Sequence, residues 1–399
     1  MAPAVVYLHV GSPKTGTTFI QSALWTNRLA LKDDGVLLPG KARFARVYAA
    51  ADMMKWHPED GDLPETWQRM AALVSRWSGR SALISQEFLY RADADQIAAM
   101  ISSLGGGRVE VVLTVRDIAR LVPAQWQTSV RQGSTWTLSD YADAVAGVAE
   151  GEDAENASRH FWERQDYSPI LTRFVEALGL EQVRVVTVPP SGGDPAELWR
   201  RFCQACDLDA NAMTPGGVSH ESLGAESAEI MRRVNALAPI QSMPRRAYKK
   251  SVNGALSRKA LAPRRSEETS LVLPDQHREW ADAEASRLIA DIEAVGVEVI
   301  GNLDDLRPRP SSKRYVAPDQ ISSDALLSAA LDGLAGLAIE HAKLVEKGNR
   351  TPDASGGASP AKSQANNPEK VAGPSRARRA LRRMKSTLKR VVRRLKPRG

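Results

Sequence analysis

The feature that most constrains the fold of this chain lies at its start, where an apolar strand, a glycine-bracketed turn and a helix follow one another. Residues 5–10 read Val-Val-Tyr-Leu-His-Val and show no helical period. Gly11 and Gly16 bracket the turn. Apolar residues then recur at the spacing of a helix face, at Phe19, Ile20, Ala23 and Leu24. Such a turn directs backbone N–H groups and the positive end of the helix dipole toward one anion, so the segment predicts an anion-binding loop.

The position of the lysine separates this loop from the common nucleotide-binding loop, G-x-x-x-x-G-K-[ST], in which the lysine follows the second glycine and a hydroxyl holds Mg²⁺. Here Gly11-Ser-Pro-Lys-Thr-Gly16 is followed by Thr17 and Thr18, so Lys14 lies inside the turn. Its ammonium group is therefore expected to contact a different oxygen of the ligand, and the pattern calls for no metal ion. A tight turn that binds nothing is the alternative interpretation.

The sequence G-x-P-K-T-G-T-T resembles the 5′-phosphosulfate loop of sulfotransferases that use PAPS (3′-phosphoadenosine 5′-phosphosulfate). The resemblance implies that PAPS is the co-substrate. The donor-binding residues that it implies are Ser12, Pro13, Lys14, Thr15, Gly16, Thr17 and Thr18. Lys14 would stabilise the charge that builds on the leaving oxygen as the S–O bond breaks, and the N–H groups of residues 15–18 would bind the phosphate and sulfuryl oxygens.

A second segment, V-R-D-I-A-R-L-V-P-A-Q-W-Q around Arg116, resembles the 3′-phosphate segment of the same family. The resemblance implies that Arg116 binds the 3′-phosphate, for which a planar guanidinium is well suited. The serine that the family carries eight residues later is Ala124 in this chain, so nucleotide affinity is weaker or Gln125 or another group substitutes for it. A salt bridge from Arg116 to a neighbouring helix is the alternative interpretation.

Strands and helices alternate along the chain, which predicts an α/β fold of three layers, α/β/α, with a central and mainly parallel sheet. The predicted strands are Val5–Val10, Ala82–Ser85, Val109–Val115 and Val183–Val188. The predicted helices cover 17–31, 64–77, 92–104, 118–132, 166–179, 194–206, 220–237, 275–295 and 322–346. The resemblance, which covers roughly 4–306, implies the sulfotransferase type of P-loop fold.

Polar residues follow three of the predicted strands, where ligands bind in sheets of this class. The first strand is followed by the Lys14 loop, the second by Ser85-Gln86-Glu87 and the third by Arg116-Asp117. Glu87 stands where family members carry their base, and a carboxylate is available to take a hydroxyl proton near neutral pH. An acid that stabilises the following turn is the alternative for Glu87. His57 is a rival base, or a residue of the acceptor site.

Composition indicates a cytoplasmic protein. We expect no apolar run that approaches the roughly 18 residues of a membrane span, and the start of the chain lacks a signal-peptide pattern. The two cysteines, Cys203 and Cys206, are too few for a zinc site and are interpreted as small core residues. The predicted domains are a catalytic domain at 1–306, a Pro/Arg-rich connector with a helix at 307–347, a disordered linker at 348–375 and a basic helix at 376–399.

The basic segment 376–399 holds twelve Lys and Arg and no acidic residue, so that residues 1–375 of this chain of net charge +7 carry a charge of −5. Apolar residues recur in it every three or four positions, at Leu381, Met384, Leu388, Val391 or Val392, and Leu395. A helix with this pattern binds anionic membrane surfaces. A solvated, disordered tail is the alternative interpretation. Nucleic acid is a less favoured partner, because an apolar stripe makes no contact with a phosphate backbone.

The sequence therefore predicts a PAPS-dependent sulfotransferase that acts on a small-molecule or glycolipid acceptor, without a metal. We expect it in the cytoplasm, peripheral to the inner face of the membrane. Two alternatives stay open. One is a P-loop kinase that uses ATP, although the chain lacks a lysine after Gly16 and a clear Mg²⁺-binding aspartate after a later strand. The other is a non-catalytic, membrane-tethered nucleotide-binding module.

Overall fold

A six-stranded parallel sheet forms the centre of the protein. The computed structural model describes residues 3–40, 45–56, 66–215, 222–309 and 315–348. Across the sheet the strands run in the order β2-β3-β1-β4-β5-β6, and every neighbouring pair is parallel. The strands are β1 (Val5–Gly11), β2 (Val36–Leu37), β3 (Ser81–Ser85), β4 (Arg108–Val115), β5 (Val183–Thr187) and β6 (Glu298–Ile300).

Helices cover both faces of this sheet. The α-helices are α1 (Thr17–Thr26), α2 (Arg28–Asp33), α3 (Ala45–Met53), α4 (Trp67–Ser75), α5 (Ala94–Ser103), α6 (Ile118–Arg131), α7 (Leu138–Val145), α8 (Glu152–Gln165), α9 (Tyr167–Leu178), α10 (Glu197–Ala205), α11 (Ala225–Asn235), α12 (Ala238–Gln241), α13 (Arg245–Tyr248), α14 (Arg278–Val295) and α15 (Ser323–Gly348). A π-helix spans Lys249–Leu261. Short 3₁₀ turns lie at Glu87–Arg91, Leu180–Gln182, Ala210–Ala212, Ala262–Glu267, Asp275–His277, Leu303–Leu306 and Pro318–Gln320.

Two apolar cores, one on each face of the sheet, confirm the predicted α/β fold of three layers. Alternate residues of a strand enter different cores: Leu8 of β1 lies in the core that α6, α9 and α14 share, and Tyr7 in the core that α1 and α10 share. Because both faces are covered, the inner strands are buried almost throughout, and their sequences are rich in valine, leucine and isoleucine, with a few buried polar residues such as His9 and Thr114.

The predicted helix 17–31 is wrong in one respect, because the chain turns at Asn27 and divides it into α1 and α2. The Asn27 side-chain amide donates to the carbonyl oxygens of Ala23 (2.8 Å) and Thr214 (2.7 Å), and its oxygen accepts from the Thr214 N–H (3.0 Å). A buried asparagine that bonds to a distant loop competes with continued helix.

The long helix α15 packs against the π-helix through small residues. A Cβ atom at Gly336 would lie 2.3 Å from the Cβ of Ala260. Two acidic residues of α15 form ion pairs with this region: Asp332 with Arg264, and Glu340 with Lys259. Residues up to Glu346 belong to one compact unit.

By length and composition alone, the stretch Ser323–Glu346 is apolar enough to cross a membrane, with 17% of its most apolar window buried. The expectation that the chain has no such run was therefore wrong. Core helices of soluble proteins meet the same criterion. The predicted segments beyond residue 348, and His57, lie outside the described residues.

Candidate active site

The strand order brings the three polar segments to one edge of the sheet. β1 lies between β3 and β4, and all three run in the same direction. Their carboxyl ends therefore place the Lys14 loop between Glu87, which follows β3, and Arg116, which follows β4. The hydrogen bonds described next connect the loop with both residues.

The loop between β1 and α1 has a backbone that depends on its glycines. Gly11 and Gly16 have φ angles of 105° and 87°, in the left-handed region, and Lys14 has φ 70°. A Cβ atom at Gly11 would lie 2.9 Å from the carbonyl oxygen of Glu87, so only glycine lets the two backbones approach this closely. The loop and the segment after β3 are thus packed directly together.

Three successive carbonyl groups of the loop accept hydrogen bonds from side chains. Ser12 O accepts from the Thr15 hydroxyl (2.5 Å), Pro13 O from the amide of Gln165 (3.0 Å) and Lys14 O from the guanidinium of Arg116 (2.9 Å). With its acceptors held in this way, the loop leads into α1, whose first N–H groups have no acceptor within the helix. Its N-cap, Gly16, carries no side chain, and its first turn has no acid. The arrangement suits an anion.

Glu87 faces the turn between β1 and α1. The hydroxyl of Thr17, the first residue of α1, donates to Glu87 Oε2. Gln86, and not Glu87, caps the 3₁₀ turn that follows β3, because its side-chain oxygen accepts from the Phe88 N–H (3.3 Å). The Glu87 carboxylate is therefore held beside the start of α1.

Arg116 supplies a largely desolvated positive charge on the other side of the loop. Burial, assisted by the nearby Arg120 and opposed by Asp117, lowers the pKa of Arg116 to about 10. The guanidinium is thus still charged at neutral pH, and its Nε is buried without a partner among the described residues. Asp117 instead caps α6, accepting from the Arg120 N–H (2.9 Å), and pairs with the Arg120 side chain. This arrangement argues against a structural ion pair as the role of Arg116.

A buried row of polar side chains from β1, β3 and β4 supports the loop on its sheet side. The imidazole of His9 lies 2.7 Å from the Ser85 hydroxyl and 3.3 Å from the Thr114 hydroxyl, which itself lies 2.5 Å from that of Thr15. Ser12 likewise turns its hydroxyl into the protein, where it donates to Arg164 O and Gln165 Oε1. The side chains of Ser12 and Thr15 therefore hold the loop, and only their backbones are left to face a ligand.

The remaining predicted residues are placed as follows. Thr18 is exposed in the first turn of α1, and Pro13 is half-buried in the loop. Ala124 lies half-buried in α6, and the amide nitrogen of Gln125 beside it is buried without a partner among the described residues. Cys203 and Cys206 are free and fully buried, and burial raises the pKa of Cys203 to about 12. These two are core residues, as interpreted.

Sequence reasoning missed Gln165 and Tyr167, at the junction of α8 and α9. The hydroxyl of Tyr167 accepts from the backbone N–H of Arg116 (3.1 Å) and also lies 3.1 Å from its carbonyl oxygen. Neither residue stands in a recognisable motif, and Gln165 is 152 positions from Pro13. Nothing local in the sequence could have indicated them.

Comparison with known proteins gives one distant similarity. No protein-family model and no curated protein matches the chain. Among solved structures, the chain is similar to a sulfotransferase from Alicyclobacillus acidocaldarius, with 16% identity, a TM-score of 0.32, and coverage of 62% of this chain and 99% of that one. A similarity this distant leaves the function to be argued from the site itself.

Proposed function

We propose that the protein transfers a sulfuryl group from PAPS to a hydroxyl or amine of a carbohydrate, a glycolipid or another small acceptor. One observation carries the proposal: the uncapped start of α1 lies between Glu87 and Arg116. The Glu87 carboxylate accepts a hydrogen bond from Thr17, the first residue of α1, and the half-buried Arg116 guanidinium donates one to the loop at Lys14 O. A donor that is anionic at both ends, and an acceptor that must lose a proton, need these groups at these places.

In the proposed reaction, the acceptor oxygen attacks the sulfur while Glu87 takes the acceptor proton. The bond between sulfur and the bridging oxygen breaks, and that oxygen leaves with its electron pair on adenosine 3′,5′-bisphosphate. Lys14 would stabilise the charge on this leaving oxygen, and Arg116 would hold the 3′-phosphate. The backbone N–H groups of residues 15–18 would bind the 5′-phosphate and the sulfuryl oxygens.

Trp56 supports a carbohydrate among the possible acceptors. Its indole is 54% exposed and packs edge-on against Phe88, the residue after Glu87, with ring centroids 5.3 Å apart. An exposed aromatic ring beside the base offers an apolar surface to one face of a sugar.

Calorimetric titration tests the donor. We expect adenosine 3′,5′-bisphosphate to bind without Mg²⁺ and more tightly than Mg²⁺-ATP. A preference for Mg²⁺-ATP would instead support the kinase, and tight binding without any sulfuryl transfer would support the non-catalytic module. For the acceptor, ³⁵S-labelled PAPS supplied with a cell extract should label one class of molecule in the presence of wild-type protein and not of Lys14→Ala.

For the basic segment 376–399 we propose an anionic membrane as the partner, which favours a lipid-linked or glycolipid acceptor. Its twelve positive charges and its apolar stripe support the proposal. The full chain should sediment with vesicles of anionic phospholipid, and a chain truncated after Arg350 should not. Equal sedimentation of the two chains would refute the proposal, and vesicles of zwitterionic lipid serve as the control.

A further inference from the structure

We infer that Gln165 and Tyr167 are positioning residues that fix the separation between the anion loop and Arg116, and thereby set a preference for donors with two anionic ends. The inference rests on the proposed function, since it concerns how that donor site is held.

Gln165 holds the main chain of the loop. It is the last residue of α8 and is fully buried. Its amide nitrogen donates to Pro13 O (3.0 Å), and its amide oxygen accepts from the Ser12 hydroxyl (3.1 Å). Both the nitrogen and the oxygen of this buried amide are thus hydrogen-bonded to adjacent loop residues. A buried amide without these bonds would be costly, so the contacts define where the loop lies.

Tyr167 extends the contact from Gln165 to Arg116. Its ring is fully buried at the start of α9, and its hydroxyl lies 3.3 Å from Gln165 Oε1. The same hydroxyl accepts from the backbone N–H of Arg116 at 3.1 Å. Burial raises the pKa of Tyr167, so the hydroxyl keeps its one proton, which has two acceptors within reach, Arg116 O (3.1 Å) and Gln165 Oε1.

The loop and Arg116 are therefore joined in two ways. One is direct, from the guanidinium of Arg116 to Lys14 O, and uses a long side chain. The other passes through Gln165 and Tyr167 and joins the two backbones. A ligand with one anionic group needs only the loop or only Arg116. A bisphosphate needs both, and it gains binding free energy from both only when the distance between them is already fixed in the free protein.

Titration of two nucleotides into three proteins tests this. Tyr167→Phe cuts the contact with the Arg116 backbone and leaves Gln165 on the loop. We expect it to weaken binding of adenosine 3′,5′-bisphosphate about tenfold, while binding of adenosine 5′-phosphate stays within about twofold. Gln165→Leu should weaken both, because it also releases the loop.

Matched controls separate this role from general stability. Tyr248→Phe removes a hydroxyl that donates to Asn235 Oδ1 (2.7 Å), and Gln127→Leu removes an amide that donates to Leu223 O (2.9 Å), both away from the loop. Neither should change the ratio of the two affinities. Should Tyr167→Phe fail to fold, Gln165→Leu still tests the inference: it should cost adenosine 3′,5′-bisphosphate more affinity than adenosine 5′-phosphate, and an equal loss for the two nucleotides would overturn the positioning role.

The outcomes distinguish the two proposals. If wild-type protein does not prefer the bisphosphate, the proposed donor is wrong. If wild-type shows the preference and Tyr167→Phe keeps it in full, or loses affinity for both nucleotides equally, the positioning role is wrong and the proposed function stands.

Discussion

At the scale of single residues, the most direct test concerns Glu87. Glu87→Gln keeps a side-chain oxygen that accepts from the Thr17 hydroxyl but cannot take a proton from the acceptor. We expect the rate of sulfuryl transfer from labelled PAPS to fall at least about a hundredfold, since general bases contribute on the order of 10²–10⁴. Binding of adenosine 3′,5′-bisphosphate should stay within about threefold.

Glu176→Gln is the control for this experiment, because Glu176 is exposed on α9. It should leave both transfer and binding unchanged. Transfer by Glu87→Gln at the wild-type rate would remove Glu87 from the mechanism and leave its carboxylate as a support for the start of α1.

Gly11 tests the close approach of the two backbones. An alanine there must keep φ near 105° with its Cβ 2.9 Å from Glu87 O, so both strain and a backbone clash oppose it. We expect Gly11→Ala to lower the free energy of unfolding by about 2–3 kcal/mol. Gly106→Ala has φ 82° and open space around its Cβ, so it should cost only about 1 kcal/mol. Urea unfolding of the two variants measures the difference, and equal costs would mean that the segment after β3 gives way.

At the scale of elements, the inner strands of the sheet could be predicted from the sequence and the edge strands could not. β1, β3, β4 and β5 are mostly apolar and mostly buried on both faces, and the predicted ends of all four lie within a residue of the observed ones. The edge strands β2 and β6 have only two and three residues, too few to show a pattern.

The candidate site divides in the same way. The loop and the residues that follow the strands are local in sequence, so their positions at one edge of the sheet followed from parallel topology. Gln165 and Tyr167 reach the site only because α8 and α9 fold back onto it. Hydrogen bonds between residues more than 50 positions apart produce no regular spacing in the sequence from which they could be predicted.

The packing of α15 gives a prediction at this scale. A leucine at Gly336 would favour the helix by about 0.8 kcal/mol through its intrinsic propensity. Its Cβ would nevertheless lie 2.3 Å from that of Ala260, and a helix backbone cannot move aside as a flexible side chain can. We expect the steric clash to outweigh the gain in helix propensity, so that the free energy of unfolding falls by about 2 kcal/mol.

Hydrogen exchange of the α15 amides, together with thermal unfolding, measures this effect. Ala338→Leu, on the exposed side of the same helix, is the control and should be neutral or destabilise the helix by only a few tenths of a kcal/mol, about the difference in helix propensity. Faster exchange in Ala338→Leu than in Gly336→Leu would contradict the packing described for α15.

At the scale of the whole molecule, the row of polar side chains under the loop makes folding depend on pH. Burial lowers the pKa of His9 to about 3, whereas a histidine in the unfolded chain has a pKa of about 6.5. Between these values the unfolded state binds a proton that the folded state does not. Stability therefore falls as the pH falls through this window, by about 1.4 kcal/mol per pH unit, or about 2 kcal/mol between pH 6.5 and pH 5.

Urea unfolding at a series of pH values measures that slope. His9→Gln should be less stable at pH 7, because it leaves the hydroxyls of Ser85 and Thr114 poorly matched, yet its stability should vary less between pH 6.5 and pH 5. His160→Gln, on the exposed face of α8, should keep the wild-type slope. An unchanged slope in His9→Gln would show that another group takes up the proton on unfolding. The expected result would instead mean that the buried polar side chains that support the Lys14 loop also limit how acidic a medium the whole fold tolerates.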